Sequence, residues 1–161
     1  VQMGNLAEGQ LGLILDPHRN GGLLPMLVND PGKRNRFQDM LFAATATLAA
    51  MRSSAVPTSI ESTRDDGHSQ DTNPSSMQAA LNALDSAASL RWLHGSLAVA
   101  LRQAVHVSGR RPTAPACVAI LEELIKALPA VDSDGTLDQN VRTAAARLDI
   151  IADTLPRSEH G

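Results

Sequence analysis

The chain reads as an all-α protein, and three observations lead there. Apolar residues recur at helical spacing in five separate segments. No segment carries the alternation of a half-buried strand. Aromatic residues are only 2% of the chain, with no tyrosine, while hydrophobic residues make up 43%. The core must therefore be built from Leu, Ile, Val, Ala and Met, which suits closely packed helices. At 161 residues the length fits one domain.

The first element is "LAEGQLGLILDP". Leu11, Ile14 and Leu15 share a face, and Pro17 ends the helix. No start signal precedes it, so the sequence reads as beginning inside an element. Residues 17–35 carry enough Pro and Gly for a loop. The apolar island Leu23 to Val28 within it is expected to be buried. A helix follows from about Arg36 to Arg52, with Phe37, Leu41, Ala44, Leu48 and Met51 on one side.

A polar stretch then separates two apolar segments: "ESTRDDGHSQDTNPSS", residues 61–76. An irregular loop of roughly twenty residues inside a compact chain is unusual. By residue type three readings stay open: a solvated loop, a site for a hard metal through Asp65, Asp66, His68 and Asp71, or a polar wall of an active site.

The longest helix runs from about Ser76 to Val107, with Met77, Leu81, Leu84, Ala88, Trp92, Leu97, Leu101 and Ala104 in phase. It would span roughly 45 Å. A compact globule of this length is only about 40 Å across, so the helix is expected to project into a larger bundle unless Gly95 divides it. Further helices are expected over about Ala116 to Leu128 and Leu137 to Leu155.

Composition excludes several function classes. Net charge is −3 and the basic residues form no stripe, so nucleic acid is not an expected partner. No apolar run reaches the roughly 18 residues of a membrane span, and no signal peptide is visible, so a cytoplasmic location is expected. The single cysteine, Cys117, reads as a buried helix thiol rather than a reactive one. "DSDGTLD", residues 132–138, has part of a calcium-loop pattern but lacks its closing Glu; a turn leading into a helix is the better reading. His18 sits where it can bond the last carbonyls of a helix. His94 and His106 lie twelve positions apart, roughly 120° around a helix, so they do not form a pair.

Five segments together resemble the aromatic amino acid ammonia-lyases and aminomutases, the family of histidine, phenylalanine and tyrosine ammonia-lyases. They are "LAEGQLGLILDP", "GGLLPMLVNDPG", "RFQDMLFAATATLAA", "VPTSIESTRDDGHSQDTNPSSM" and "TLDQNVRTAAARL". Their order and spacing match the C-terminal third of those proteins, which are about three times as long. The resemblance implies a helical bundle of the ammonia-lyase (aspartase/fumarase-like) fold, with residues 1–161 as a single all-helical subunit or fragment.

It also implies site residues. Gln70 falls at a substrate-facing position that is Gln in phenylalanine and tyrosine enzymes and Glu in histidine enzymes. Asp66 falls where plant-type enzymes have a Glu near the substrate's amine or carboxylate. His68 matches a histidine that orients the loop, and Asp71 an acidic residue that structures it. Phe37 and Gln38 fall on the family's Gly-Phe-Met helix, in the substrate wall. No metal is implied. With Gln70 and Asp66 on that wall, the metal option for the polar stretch recedes.

The family's electrophile is a methylidene-imidazolone (MIO) formed from Ala-Ser-Gly, and its base is a tyrosine. This sequence has neither. The resemblance therefore implies one of two arrangements: a larger N-terminal lyase-like partner that supplies both, in a hetero-oligomer with four copies of each chain, which is the favoured expectation, or a fragment of a longer chain that carries them. No catalytic residue is assigned here. Two alternatives stand beside the aromatic amino acid lyase or 2,3-aminomutase: an assembly without MIO that runs another reaction, and a non-catalytic structural subunit. The sequence also departs from the family. Lys33-Arg34-Asn35-Arg36 replaces a small, neutral stretch, and Asp71 stands farther from Ser76-Met77 than the family's spacing.

Overall fold

The computed structural model describes residues 1–28, 31–61, 76–131 and 137–153. Among them are five α-helices and no strand: α1 (Gln2–Leu15), α2 (Pro31–Ser54), α3 (Ser76–Ser108), α4 (Pro115–Ala127) and α5 (Leu137–Asp153), with short 3₁₀ turns at Pro25–Leu27 and Thr58–Glu61. The all-α class and each of the five helices are as the apolar spacing predicts.

α3 is the central element. Its middle, Gly95 to Ala100, is buried at every position, because α1, α2, α4 and α5 all pack against the helix. A helix apolar on all sides belongs in the interior, and "GSLAVA" has that composition. α1 contributes Ala7, Leu11 and Leu15, and α2 contributes Phe37, Met40, Ala44, Leu48 and Met51. α5 adds Leu137, Val141, Ala144 and Ile151 at the i, i+3, i+4 spacing of one face.

Glycine sets the closest approach. Gly95 does not divide α3, which continues unbroken to Ser108. It lets α5 come in: a Cβ at Gly95 would lie 2.7 Å from the Val141 carbonyl oxygen and 3.1 Å from the Ala145 Cβ. Small residues at facing positions bring helix axes together in this way. Where α5 has passed this contact, Arg91 reaches across to Asp149, with Nη2 2.9 Å from Oδ2, and donates to the Ala145 carbonyl at 3.1 Å. The hydrogen bond and charge of Arg91 hold the Asp149 carboxyl below its ordinary range.

Four expectations change. α2 starts at Pro31, about five residues earlier than predicted. Pro-Gly looks like a turn in sequence, but proline needs no N–H partner in the first turn of a helix and is pre-shaped for it. Cys117 lies in α4 as expected but is exposed, not buried. Asp16, rather than His18, organises the end of α1: its Oδ1 accepts the His18 N–H at 2.9 Å, and His18 is exposed. Leu101, in phase with the apolar face expected of α3, is 44% exposed.

The pattern does hold for His94 and His106. His94 is half-buried with Nδ1 2.9 Å from the Leu90 carbonyl oxygen, while His106 is exposed. Residues 132–136 of the calcium-like stretch lie outside the described residues. Asp138 stands in the first turn of α5, paired with Arg142 at 2.8 Å, where a carboxylate complements the helix dipole.

Candidate functional site

Of the residues assigned to a substrate wall, Gln70, Asp66, His68 and Asp71 lie outside the described residues. Phe37 and Gln38 are described, and α2 separates them. Phe37 is wholly buried within the core, and Gln38 is exposed. Adjacent positions on a helix point about 100° apart, so one side chain can anchor α2 while the next faces outward. In this chain Phe37 packs as a core residue.

Described structure flanks the polar stretch on both sides. The 3₁₀ turn Thr58–Glu61 leads into it, and α3 leaves it at Ser76. Asn82 Nδ2 donates to the Ser54 carbonyl at 3.5 Å, tying the end of α2 to the first half of α3. Between them lies a cleft of about 400 Å³ lined by Ser54 to Thr58 on one side and by Ala79, Asn82, Ala83 and Ser86 on the other. The lining is small and neutral. It offers room and hydrogen bonds but no acid, base or nucleophile of altered strength. Among the described residues no group of three or more His, Cys, Asp or Glu is placed to hold a metal.

α3 beside this cleft is unlike the rest of the helix. Met77, Leu81 and Leu84 are 73%, 47% and 67% exposed, and Ala88 one turn on is exposed too. Their spacing puts them on one face. Val56 and Ile60, in the segment that follows α2, are also exposed, at 57% and 73%. The helical beat that marks a buried stripe is present, but nothing in the described chain covers it.

One feature near the start of α2 had no sequence signal. Met26 and Leu27 both have positive φ, 52° and 57°. Non-glycine residues there cost on the order of 1–3 kcal/mol each and persist only where surroundings hold them. Gln103 provides the hold. Its Nε2 donates to the Leu27 carbonyl at 3.2 Å, and its Oε1 accepts the Val131 N–H at 3.0 Å. Gln103 is 1% exposed and joins the 3₁₀ turn, α3 and the segment after α4. A glutamine between hydrophobic residues in a helix looks like a surface position, so only the fold reveals this clamp.

The chain's likeness to known proteins covers the same architecture. A family model described as aromatic amino acid lyase matches residues 1–127. The chain belongs to the aromatic amino acid lyase family. It is 28% identical over 160 residues to a histidine ammonia-lyase of Bradyrhizobium diazoefficiens, covering 99% of this chain and 30% of that protein. It is 31% identical over 161 residues to an MIO-dependent tyrosine 2,3-aminomutase of Streptomyces globisporus, covering 99% of this chain and 28% of that one. The crystal structure of tyrosine aminomutase from Streptomyces globisporus superposes with a TM-score of 0.79 at 28% identity, over 94% of this chain and 29% of that chain. This aromatic amino acid lyase chain thus spans less than a third of the relatives it matches. Its helices are an all-α portion of the fold they share.

Proposed function

We propose that this chain forms the C-terminal wall of an aromatic amino acid ammonia-lyase or 2,3-aminomutase site, completed by a larger lyase-like N-terminal portion carried on a partner chain. The observation that carries this reading is the apolar face of Met77, Leu81, Leu84 and Ala88, exposed beside the root of the polar stretch. A stripe of this kind is stable when covered by another helix. About 70% of each relative's length lies outside the matched region, and a portion of that kind is the proposed occupant.

The MIO group is made from a tripeptide, Ala-Ser-Gly, that this sequence does not contain. When present in the completed site, it supplies the electrophile that takes up the amino group. The part played by this chain is orientation. An amino acid zwitterion needs acceptors for its ammonium and donors for its carboxylate. Asp66 accepts, and the Gln70 amide does either. The departure at Lys33-Arg34-Asn35-Arg36 is compatible with an altered substrate, one with an extra acid group or one held on a carrier protein, and equally with a loss of elimination.

Gln70→Ala in the assembled complex tests the catalytic wall. Turnover of aromatic amino acids is expected to fall by about tenfold to a hundredfold, the loss of one or two substrate hydrogen bonds. Unchanged turnover of every candidate substrate sinks the wall reading and leaves a structural subunit. Leu84→Glu tests the docking face. It is expected to abolish the complex in native mass spectrometry after co-expression, while the chain without a partner self-associates. A monomeric, cooperatively unfolding 17.0 kDa species contradicts the need for a partner.

A further inference from the structure

A second cavity lies at the other end of α3, away from the polar stretch. It holds about 490 Å³ between the last turns of α3, α4 and the loop after α1. That volume is in the range of small-molecule pockets, roughly 300–1,000 Å³. Leu23, Leu101, Val105, Ile120, Leu121 and Leu124 make its walls apolar.

Its polar groups are few: Asn20, Ser108 and three arginines, of which Arg102 donates from Nε to the Leu128 carbonyl at 3.2 Å. Arg110 and Arg111 are exposed on its lining, and no lining residue is acidic. Asn20 also lines it. The Asn20 Oδ1 is committed to the Leu23 N–H at 2.9 Å, and the Nδ2 is buried with no hydrogen-bond partner. A buried donor is costly to leave unmade. The first turn of α4 follows directly and has no side-chain cap, so it adds positive potential and no competing carboxylate. Apolar walls, exposed arginines and an unpartnered amide donor, with no carboxylate on the lining, describe the complement of an amphipathic anion.

We propose that this cavity binds an amphipathic carboxylate, with an alkyl or aryl body against the leucine-rich walls and its head group at Arg110 and Arg111. The site is independent of the substrate wall proposed above, since it shares no residue with it. A guanidinium favours a carboxylate because its planar fork matches two oxygens at once. The exposed Cys117 thiol on the lining is not part of the recognition but reports on it.

The experiment uses the assembled protein and follows alkylation of Cys117 by iodoacetamide, read by mass spectrometry of the peptide that contains it. Decanoate is the probe, and decyltrimethylammonium is its cationic control. Decanoate at ten times its dissociation constant is expected to slow alkylation about tenfold, by simple occupancy. The cationic control is expected to protect far less. The double variant Arg110→Gln with Arg111→Gln changes exposed side chains only, and is expected to lose the decanoate protection when each rate is taken relative to the variant's own probe-free alkylation rate. Equal protection by both amphiphiles leaves an unselective apolar groove and overturns the proposal. So does protection that survives in the double variant. A Cys117 that resists alkylation in the assembly without any probe means another chain covers the cavity, and overturns it as well.

Discussion

Gly95→Leu is expected to lower stability by roughly 3 kcal/mol, the upper range for forcing extra carbons into a packed contact. Leucine is a better helix former than glycine, so propensity alone predicts a gain of about 1 kcal/mol in the middle of α3. The opposite sign comes from α5. The first carbon added at Gly95 meets the Val141 carbonyl oxygen at 2.7 Å, and that is backbone, which cannot swing aside. α5 would have to move away, opening the contact made by Val141 and Ala144, two of its most buried residues. Urea unfolding of the assembled protein measures the loss. Gly9→Ala in α1 is the matched control, since nothing lies within 4 Å of a Cβ there. It is expected to be neutral or to gain up to about 1 kcal/mol. Equal effects at the two sites would mean that the α3–α5 contact is not what glycine serves.

Gln103→Leu is expected to cost about 2–6 kcal/mol, because it orphans two buried backbone groups at about 1–3 kcal/mol each. They are the Leu27 carbonyl and the Val131 N–H. The substitution keeps the volume nearly constant and adds apolar character, so an account from burial alone predicts little change. Hydrogen exchange separates the two accounts. The Val131 amide should exchange much faster in the variant, and the segment carrying Met26 and Leu27 should lose the support that holds its positive φ angles. Gln103→Glu should retain an acceptor for Val131 while losing the donor to Leu27. An unshifted Val131 amide in Gln103→Leu would remove the clamp from the explanation.

These two residues mark the limit of reading along the chain. Gly95 is visible in the sequence, but there it looks like a weak point in a long helix. Gln103 is visible too, but a polar residue in a helix is ordinarily at the surface. Their roles depend on Val141, Leu27 and Val131, which are 28 to 76 positions away in the chain. Pro31 shows the same limit at shorter range: Pro-Gly is compatible with a turn or a helix start, and only the packing of Phe37 and Met40 into the core decides between them.

The candidate site divides in the same way. Its membership in a family was legible, because five short segments in order and spacing are a pattern along the chain. Phe37 was legible as part of the apolar side of α2 with the polar Gln38 next to it, and the structure buries the first and exposes the second. The stripe of Met77, Leu81 and Leu84 was legible as apolar periodicity. Its exposure was not, since periodicity records that a face is to be covered and carries no information about what covers it.

By itself the sequence determined five helices, their apolar faces and the family, because each depends on local spacing and on order along one chain. The tertiary structure decided which glycine is a contact, which glutamine is a clamp, which cysteine is exposed and which stripe is left without a partner. Those are properties of surfaces brought together from distant positions, and they have no value until the helices pack.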